Sequence, residues 1–404
     1  MIKNQRLYSG SLIGLSEKNR YLVEANPHIR LKLAHPVDEE RLKKALEQTV
    51  RDCPFLSYNV VPDEGLFLKL EENPLPLVLL DHASKEINTR ENHSHSALVY
   101  YEGDTITVAL THALTDGNGI FWFARNLLDH YFGMEQGTFR FSEESDYDRE
   151  LMALELPVSE GYRVPTMPEG RYLCFQLSED KEEYDEFSLK IPYGVFKELC
   201  KEWNASNQSA LVILCLKALV SAFPDGYDHV CVRMPVNARK LFDAPHTFQN
   251  ASIANIRIVF DPDELRGDEA YLVKKTADGI SAQSSRDPVA WQFNEWRKVL
   301  HTADPGERMG RIAKFIGQDA ILVSYLGREL VGASYVEHVK GLYTGATIFP
   351  LMVYGTVIGD DLYLCGFDAC GGKKFRRELI NVLKQYAFEV QEISIVEEMP
   401  PAFL

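Results

Sequence analysis

The sequence predicts an α+β fold made of two similar halves that face each other across a cleft. Three observations point there. Short alternating strands and amphipathic helices follow the order β-α-β-β-α-β-β-helix, and that order recurs loosely in both halves without an alignable repeat. A polar stretch over 141–170, rich in Glu, Ser, Asp and Pro, reads as a crossover between them. The chain, at 404 residues, is long enough for two domains or one large one. The predicted division is 1–165 and 166–404, and the cleft between two such units is a usual place for a ligand.

In chain order, residues 1–36 read as strand and loop, with Ile29, Leu31 and Leu33 alternating against Arg30 and Lys32. Asp38 is placed to cap a helix, with Val37 as a staple. Leu42, Ala45, Leu46, Thr49 and Val50 form its inner stripe, and Pro54 ends it. Strands follow at 56–61 and 66–70, then a helix-like piece at 84–93, then two strands, 97–101 and 105–112, that pair across a turn. An apolar helix occupies 120–131.

The second half opens with a strand at 187–191 and a helix over 192–203 that has Pro192 in its first turn. A strongly apolar helix spans 209–223, where Ser209 reads as a cap and not as a nucleophile, since no Gly-x-Ser-x-Gly surrounds it. Strands are expected at 229–235, 252–260 and 320–325, with broken helices over 263–318. A hairpin joins 347–357 to 362–367, and an amphipathic helix closes the pattern at 373–388.

Composition narrows the function. The formal charge is −16 (43 Lys and Arg against 59 Asp and Glu), which argues against nucleic acid and anionic membranes as general partners. An anionic cosubstrate that needs only a local basic patch stays open. Seven cysteines, an odd number, several of them inside apolar patterns, fit a reducing compartment better than a disulfide framework. No run reaches the length of a membrane span and the start lacks the apolar core of a signal peptide, so a cytoplasmic location is expected.

The chemistry gathers in Thr107–Gly119, where an alternating strand ends at His112 and a turn holding Asp116 and Gly117 follows. An imidazole titrates near neutrality and can take a proton from a nucleophile, while a carboxylate four residues on can fix the geometry around it. Spacing alone is equally compatible with a structural histidine at a strand end. His93 and His95 lack any matching ligand spacing and read as a polar loop, and Cys365 and Cys370 read as core or loop thiols; no metal is expected.

Four stretches together resemble the CoA-dependent acyltransferase superfamily, which holds chloramphenicol acetyltransferase, peptide-synthetase condensation domains and stand-alone alcohol acetyltransferases. Val37-Asp38-Glu39-Glu40-Arg41-Leu42 through Cys53-Pro54-Phe55-Leu56 is similar to the first helix and following strand. Thr111-His112-Ala113-Leu114-Thr115-Asp116-Gly117 matches the HxxxDG active-site motif. Met234-Pro235-Val236-Asn237-Ala238-Arg239, with Asn250 downstream, resembles a Pro-Val-Asn-x-Arg segment, and Val323-Ser324-Tyr325-Leu326-Gly327 a late Val-Ser-Asn-Leu-Gly strand. Two positions depart from the pattern: Thr111 stands where condensation domains carry a first histidine, and Tyr325 where asparagine is common.

The resemblance implies two chloramphenicol-acetyltransferase-like subdomains in a pseudo-dimer with a central tunnel. It implies acyl transfer from an acyl thioester, acyl-CoA or an acyl-carrier protein, to a small-molecule alcohol or amine, with His112 as general base and no permanently bound cofactor. Asp116 would hold the turn through an ion pair, with Arg239 as the candidate partner, and Gly117 would permit close backbone approach or a turn with positive φ. Ser324, whose plainer reading is an inward hydroxyl in a packed strand, and the backbone near Gly117 are the candidates for an oxyanion donor; Asn237 and Asn250 would line the tunnel or close turns. Lys373, Lys374, Arg376 and Arg377 could meet CoA phosphates, although a solvated helix face is the plainer reading. The alternatives are a non-catalytic condensation-like binding protein and a condensation-type ester or amide former fed by a carrier protein.

Overall fold

The computed structural model describes residues 5–7, 23, 25–65, 67–133, 154–175, 184–243, 247–313, 319–327, 336–346, 349–370 and 372–394. The first half runs β1 (Arg6–Leu7), β2 (His28–Leu33), α1 (Glu39–Asp52), β3 (Tyr58–Pro62), β4 (Leu68–Glu72), β5 (Leu79–Leu80), β6 (Ala97–Glu102), β7 (Thr105–Leu110) and α2 (Gly117–Phe132). The second runs β8 (Asp185–Pro192), α3 (Tyr193–Glu202), α4 (Asn207–Ala222), β9 (Val230–Pro235), β10 (Asn255–Phe260), α5 (Pro262–Leu265), α6 (Glu269–Gln283), α7 (Arg286–His301) and α8 (Pro305–Ala313). It closes with β11 (Ile321–Gly327), β12 (Val339–Gly345), β13 (Leu351–Ile358), β14 (Asp361–Asp368), α9 (Lys374–Gln385) and β15 (Gln391–Glu392).

Helix α1 forms where its sequence asks for it. The Asp38 carboxylate accepts from the Arg41 N–H at 3.0 Å, a cap that contributes about 1 kcal/mol. Leu42, Ala45, Leu46 and Thr49 are buried against the first core, with Val37 packed beside it. Helix α4 is apolar nearly all round because it is enclosed, lying in the core between the second sheet and α9. Among the described residues no single helix is long and apolar enough to cross a membrane.

Among the described residues three sheets form: β1-β4-β3, a five-stranded β12-β2-β7-β6-β5 and a seven-stranded β10-β9-β11-β13-β14-β8-β15. The five-stranded sheet is completed from late in the chain, since β12 runs antiparallel to β2 with Leu342 opposite Leu31. On its other side β12 meets the large sheet. The Ser188 hydroxyl donates to the Leu342 carbonyl at 2.6 Å, and Arg30 of β2 pairs with Glu186 of β8 at 3.2 Å. Two cores result, and the first takes Phe248, Ile358, Tyr363 and Cys365 as well as β12 from the second part of the chain.

Several expectations change. The segment 84–93 is a series of turns and not a helix, and it ends with His93 and Ser94 at φ 57° and 60°, a region closed to helical propagation. Ser206, not Ser209, caps α4: its hydroxyl accepts from the Ser209 N–H at 3.0 Å, while Ser209 is buried. Pro192 is the cap residue of α3 and lies outside its first turn. The strand expected from residue 56 starts at Tyr58, after a 3-10 turn over Pro54–Ser57. The part of the 141–170 stretch before residue 154 lies outside the described residues.

Side-chain amides replace missing strand neighbours at three places. Gln283 bonds both backbone groups of Arg257 (3.0 and 2.7 Å), and Gln292 does the same for Asn255 (2.9 and 3.0 Å), covering the edge strand β10. Gln208 accepts from the Tyr325 N–H at 2.7 Å and donates to the Val323 carbonyl at 3.2 Å. An unpaired strand edge invites association, and these amides satisfy it internally. Gln283→Ala should cost about 1–2 kcal/mol, because both Arg257 backbone groups lose their partner. Urea unfolding reads this directly, and an unchanged midpoint would show that water replaces the amide without loss.

Candidate active site

The turn after β7 carries the site. The His112 backbone N–H donates to the Asn26 side-chain oxygen at 2.7 Å, which fixes the chain as it leaves the strand. The His112 ring then folds back, so that Nδ1 lies 2.9 Å from the Thr115 carbonyl. A carbonyl can only accept, so Nδ1 carries the proton and Nε2 is left with its lone pair. The Asn250 amide nitrogen packs 3.2 Å from Nδ1 and 3.5 Å from the His112 carbonyl, closing that side of the ring.

Asp116 caps α2 and is almost completely buried. Its Oδ1 accepts from the Asn118 N–H (3.0 Å), the Gly119 N–H (3.3 Å) and Arg239 Nη2 (3.0 Å). Its Oδ2 accepts from Arg239 Nη1 (2.8 Å), the Ala251 N–H (3.0 Å) and the Ser252 hydroxyl (2.8 Å). Burial alone would raise this carboxyl, but the Arg239 guanidinium and the other donors outweigh it and hold it below the usual carboxylate range.

Arg239 is fixed in turn. Its Nε donates to the Thr247 carbonyl (2.7 Å), its Nη2 donates to the Gln249 carbonyl (2.9 Å) as well as to Asp116, and its guanidinium lies 5.0 Å over the Trp122 ring of α2. The Thr115 hydroxyl donates to the Phe248 carbonyl at 2.5 Å. The turn of the first half is thus bonded along its length to residues 237–252 of the second.

A cavity of about 510 Å³ opens over this turn. His112, Asp116, Gly117, Asn237 and Ser324 all line it. Ile253, Trp296, Ile312 and Phe349 give it apolar lining. Withdrawal from bulk water lowers the His112 pKa, and that effect exceeds the opposing pull of the Asp116 charge and the Thr115 carbonyl. The ring is therefore neutral at pH 7 with a free acceptor nitrogen. Such a group can take a proton from a hydroxyl or amine held in the cavity.

The predicted residues divide as follows. Arg239 pairs with Asp116, as expected. Gly117 does not have positive φ, so the turn reading is set aside; a Cβ there would lie 3.3 Å from Leu326 Cδ2, which leaves close approach as its role. Asn237 lines the cavity and also accepts from the Arg239 backbone N–H at 3.2 Å. The backbone near Gly117 is weakened as an oxyanion donor, because the Asn118 and Gly119 N–H groups are occupied by Asp116. Ser324 stays on the cavity wall, and among the described residues its hydroxyl has no partner.

Lys373, Lys374, Arg376 and Arg377 are not part of the described cavity wall; Arg376 pairs with Asp185 and Glu392. His93 and His95 bond the Pro76 and Leu75 carbonyls, Cys365 is buried, and no group of three or more metal-binding side chains occurs among the described residues. Sequence reasoning missed Asn26, Thr115 and Ser252, which act through hydrogen bonds to distant residues or to the backbone that no spacing announces.

No protein-family model matches the sequence, and no curated protein matches it. Solved structures do match, over nearly the whole chain. Polyketide synthase associated protein 5 from Mycobacterium tuberculosis superposes with a TM-score of 0.63 at 12% identity, covering 94% of this chain and 98% of its own. TRI101 from F. graminearum, complexed with coenzyme A and T-2 mycotoxin, gives 0.62 at 13%, covering 96% and 100%. The first condensation domain of the CDA synthetase gives 0.60 at 15%, covering 95% and 94%. The chain shares the fold of these three proteins over nearly its whole length. At these identities the likeness is one of architecture. In this fold the His112–Gly117 turn of the first half meets Arg239, Phe248 and Asn250–Ser252 of the second.

Breaking the Asp116–Arg239 pair from one side leaves a buried charge without its partner. Arg239→Met should cost about 3–5 kcal/mol, and Asp116→Asn a comparable amount, in urea or thermal unfolding. The folded Asp116 pKa lies below the ordinary value of 3.8, so its contribution is complete above that value and is lost as pH falls through the lower folded pKa. A wild-type minus Asp116→Asn stability difference that stays constant from pH 6 down to pH 2 would contradict this.

Proposed function

We propose that the protein is an acyltransferase that moves an acyl group from an acyl thioester, acyl-CoA in the first instance, to a hydroxyl or amine of a small molecule. One observation carries the reading: a desolvated, neutral imidazole on a cavity wall, with Nδ1 tied to the Thr115 carbonyl and Nε2 available as a base. The shared architecture with TRI101, complexed with coenzyme A, and with condensation domains supports the choice of reaction.

In this mechanism the acceptor hydroxyl gives its proton to His112 Nε2 as its oxygen attacks the thioester carbonyl. A C–O bond forms and the carbonyl becomes an oxyanion. The C–S bond then breaks, and the leaving thiolate takes the proton back from Nε2. The same burial that lowers the His112 pKa favours that return, because the imidazolium is poorly solvated. The Ser324 hydroxyl is the donor assigned to the oxyanion. Asp116 takes no proton and acts through Arg239 and the helix cap, keeping the turn in shape.

His112→Ala should lower acyl transfer by about 10²–10⁴-fold while acyl-CoA binding, measured by calorimetry, is retained. Transfer at the wild-type rate by the alanine variant would defeat the reading. The acid limb of kcat/KM should have its midpoint below 6.5, since the ring must be neutral to act and its pKa is lowered. A limb centred above 6.5 would assign the titration to another group.

A further inference from the structure

The large sheet parts where the cavity meets it. Strands β9 and β11 run parallel, and they pair only where Ile321 and Leu322 face Val232 and Arg233. Past that point Pro235 and Asn237 continue on one side and Ser324 and Tyr325 on the other, and all four line the cavity. The cavity thus reaches into the gap between the two strands. On the β11 side of the gap the backbone is still satisfied, because the Gln208 side chain of α4 bonds the Tyr325 N–H and the Val323 carbonyl at 2.7 and 3.2 Å. A side chain from the helix layer stands where a strand would otherwise continue.

Tyr325 is fixed across this gap at several points. Its hydroxyl accepts from Asn207 Nδ2 of α4 at 2.9 Å and lies 3.4 Å from the Tyr193 hydroxyl of α3. Its ring takes the space over Gly355, the residue beside it on β13, where a Cβ would lie 3.2 Å from Tyr325 Cδ2. The ring also packs against the second core. The next residue, Leu326, reaches the opposite way, to Gly117 of the His112 turn, where a Cβ would lie 3.3 Å from its Cδ2. One residue therefore separates contact with the active-site turn from contact with the helix layer. A ring held by its backbone, its face and its hydroxyl cannot swing aside without losing hydrogen bonds and packing.

We propose that Tyr325 is the stop that sets how long a linear apolar chain the cavity admits, and that this chain is the acyl group. A chain laid on Ile253, Trp296, Ile312 and Leu322 gains by burying each methylene. The gain ends where the chain meets a group that the surrounding packing holds still, since overpacking costs what burial gives. Calling the chain an acyl chain rests on the acyltransferase reading, whereas the stop is a property of the cavity.

Binding reads this without turnover. Calorimetry on the full-length protein follows two series, acetyl- to dodecanoyl-CoA and 1-butanol to 1-decanol, in wild type and in Tyr325→Ala. Each added methylene should tighten binding roughly fourfold until the chain meets the ring, and there the gain should cease. In Tyr325→Ala the gain should run on for about two methylenes or more, so that chains past the wild-type limit bind the variant roughly tenfold more tightly than wild type. Tyr325→Phe keeps the ring and should keep the limit. The same limit in wild type and Tyr325→Ala, or a wild type whose affinity climbs without a break through dodecanoyl-CoA, overturns the inference. A limit that moves for the alkanols while no acyl-CoA binds upholds the stop and overturns acyl-CoA as the donor. No binding of either series at millimolar concentration overturns both. If Tyr325→Ala does not fold, Tyr325→Leu removes the ring while keeping apolar bulk, and the limit should move in the same direction.

Discussion

The ion pair between Asp116 and Arg239 is the interaction on which the rest of the site depends. It joins a turn built on the five-stranded sheet to a segment that leaves the seven-stranded sheet, and both partners are buried. A buried pair costs several kcal/mol in desolvation, so it persists only where further hydrogen bonds complete both groups. Here the carboxylate has backbone N–H groups from α2 and Ala251 and the hydroxyl of Ser252, and the guanidinium has two carbonyls. The turn's shape is thereby fixed, and the turn's shape gives the His112 ring its Thr115 acceptor. A carboxylate four residues from a histidine acts at one remove, through geometry.

The seam between the halves is the second constraint. Strand β12 belongs to the first sheet by pairing and to the second half by sequence, so the two cores cannot separate without breaking a ladder. His28, on the neighbouring strand, shows how dry this seam is. Burial first, and then the Arg30 charge, push its pKa down to about 3, and its Nδ1 donates to the Asn26 carbonyl at 2.9 Å. The Asn26 side chain in turn holds the His112 backbone. A neutral histidine in the seam thus bonds the residue that positions His112.

Much of this was legible in the sequence, for identifiable reasons. Strand β7, the Asp38 cap and the stripe of α1 follow from local periodicity and capping chemistry, which act within a few residues. The motif residues His112, Asp116, Asn237 and Ser324 line one cavity. Features that depend on distant partners were not legible. No local signal moves β12 into the first sheet, or tells Gln208, Gln283 and Gln292 to stand in for strand neighbours. The apparent helix at 84–93 failed because its residues fit a helix only until tertiary contacts hold His93 and Ser94 at positive φ. Within the strand expected at 229–235, nothing local announces that Arg233 stands opposite Arg257 and pairs with Asp319.

The central claim is that the fold delivers His112 as a neutral imidazole protonated on Nδ1. Long-range ¹H–¹⁵N correlation spectroscopy of the histidine rings, with His112→Gln used for assignment, measures this without any substrate. The account predicts the Nδ1–H tautomer at pH 7 and a midpoint of titration below 6.5. An Nε2–H tautomer at pH 7, or a ring that stays protonated above 6.5, would contradict it.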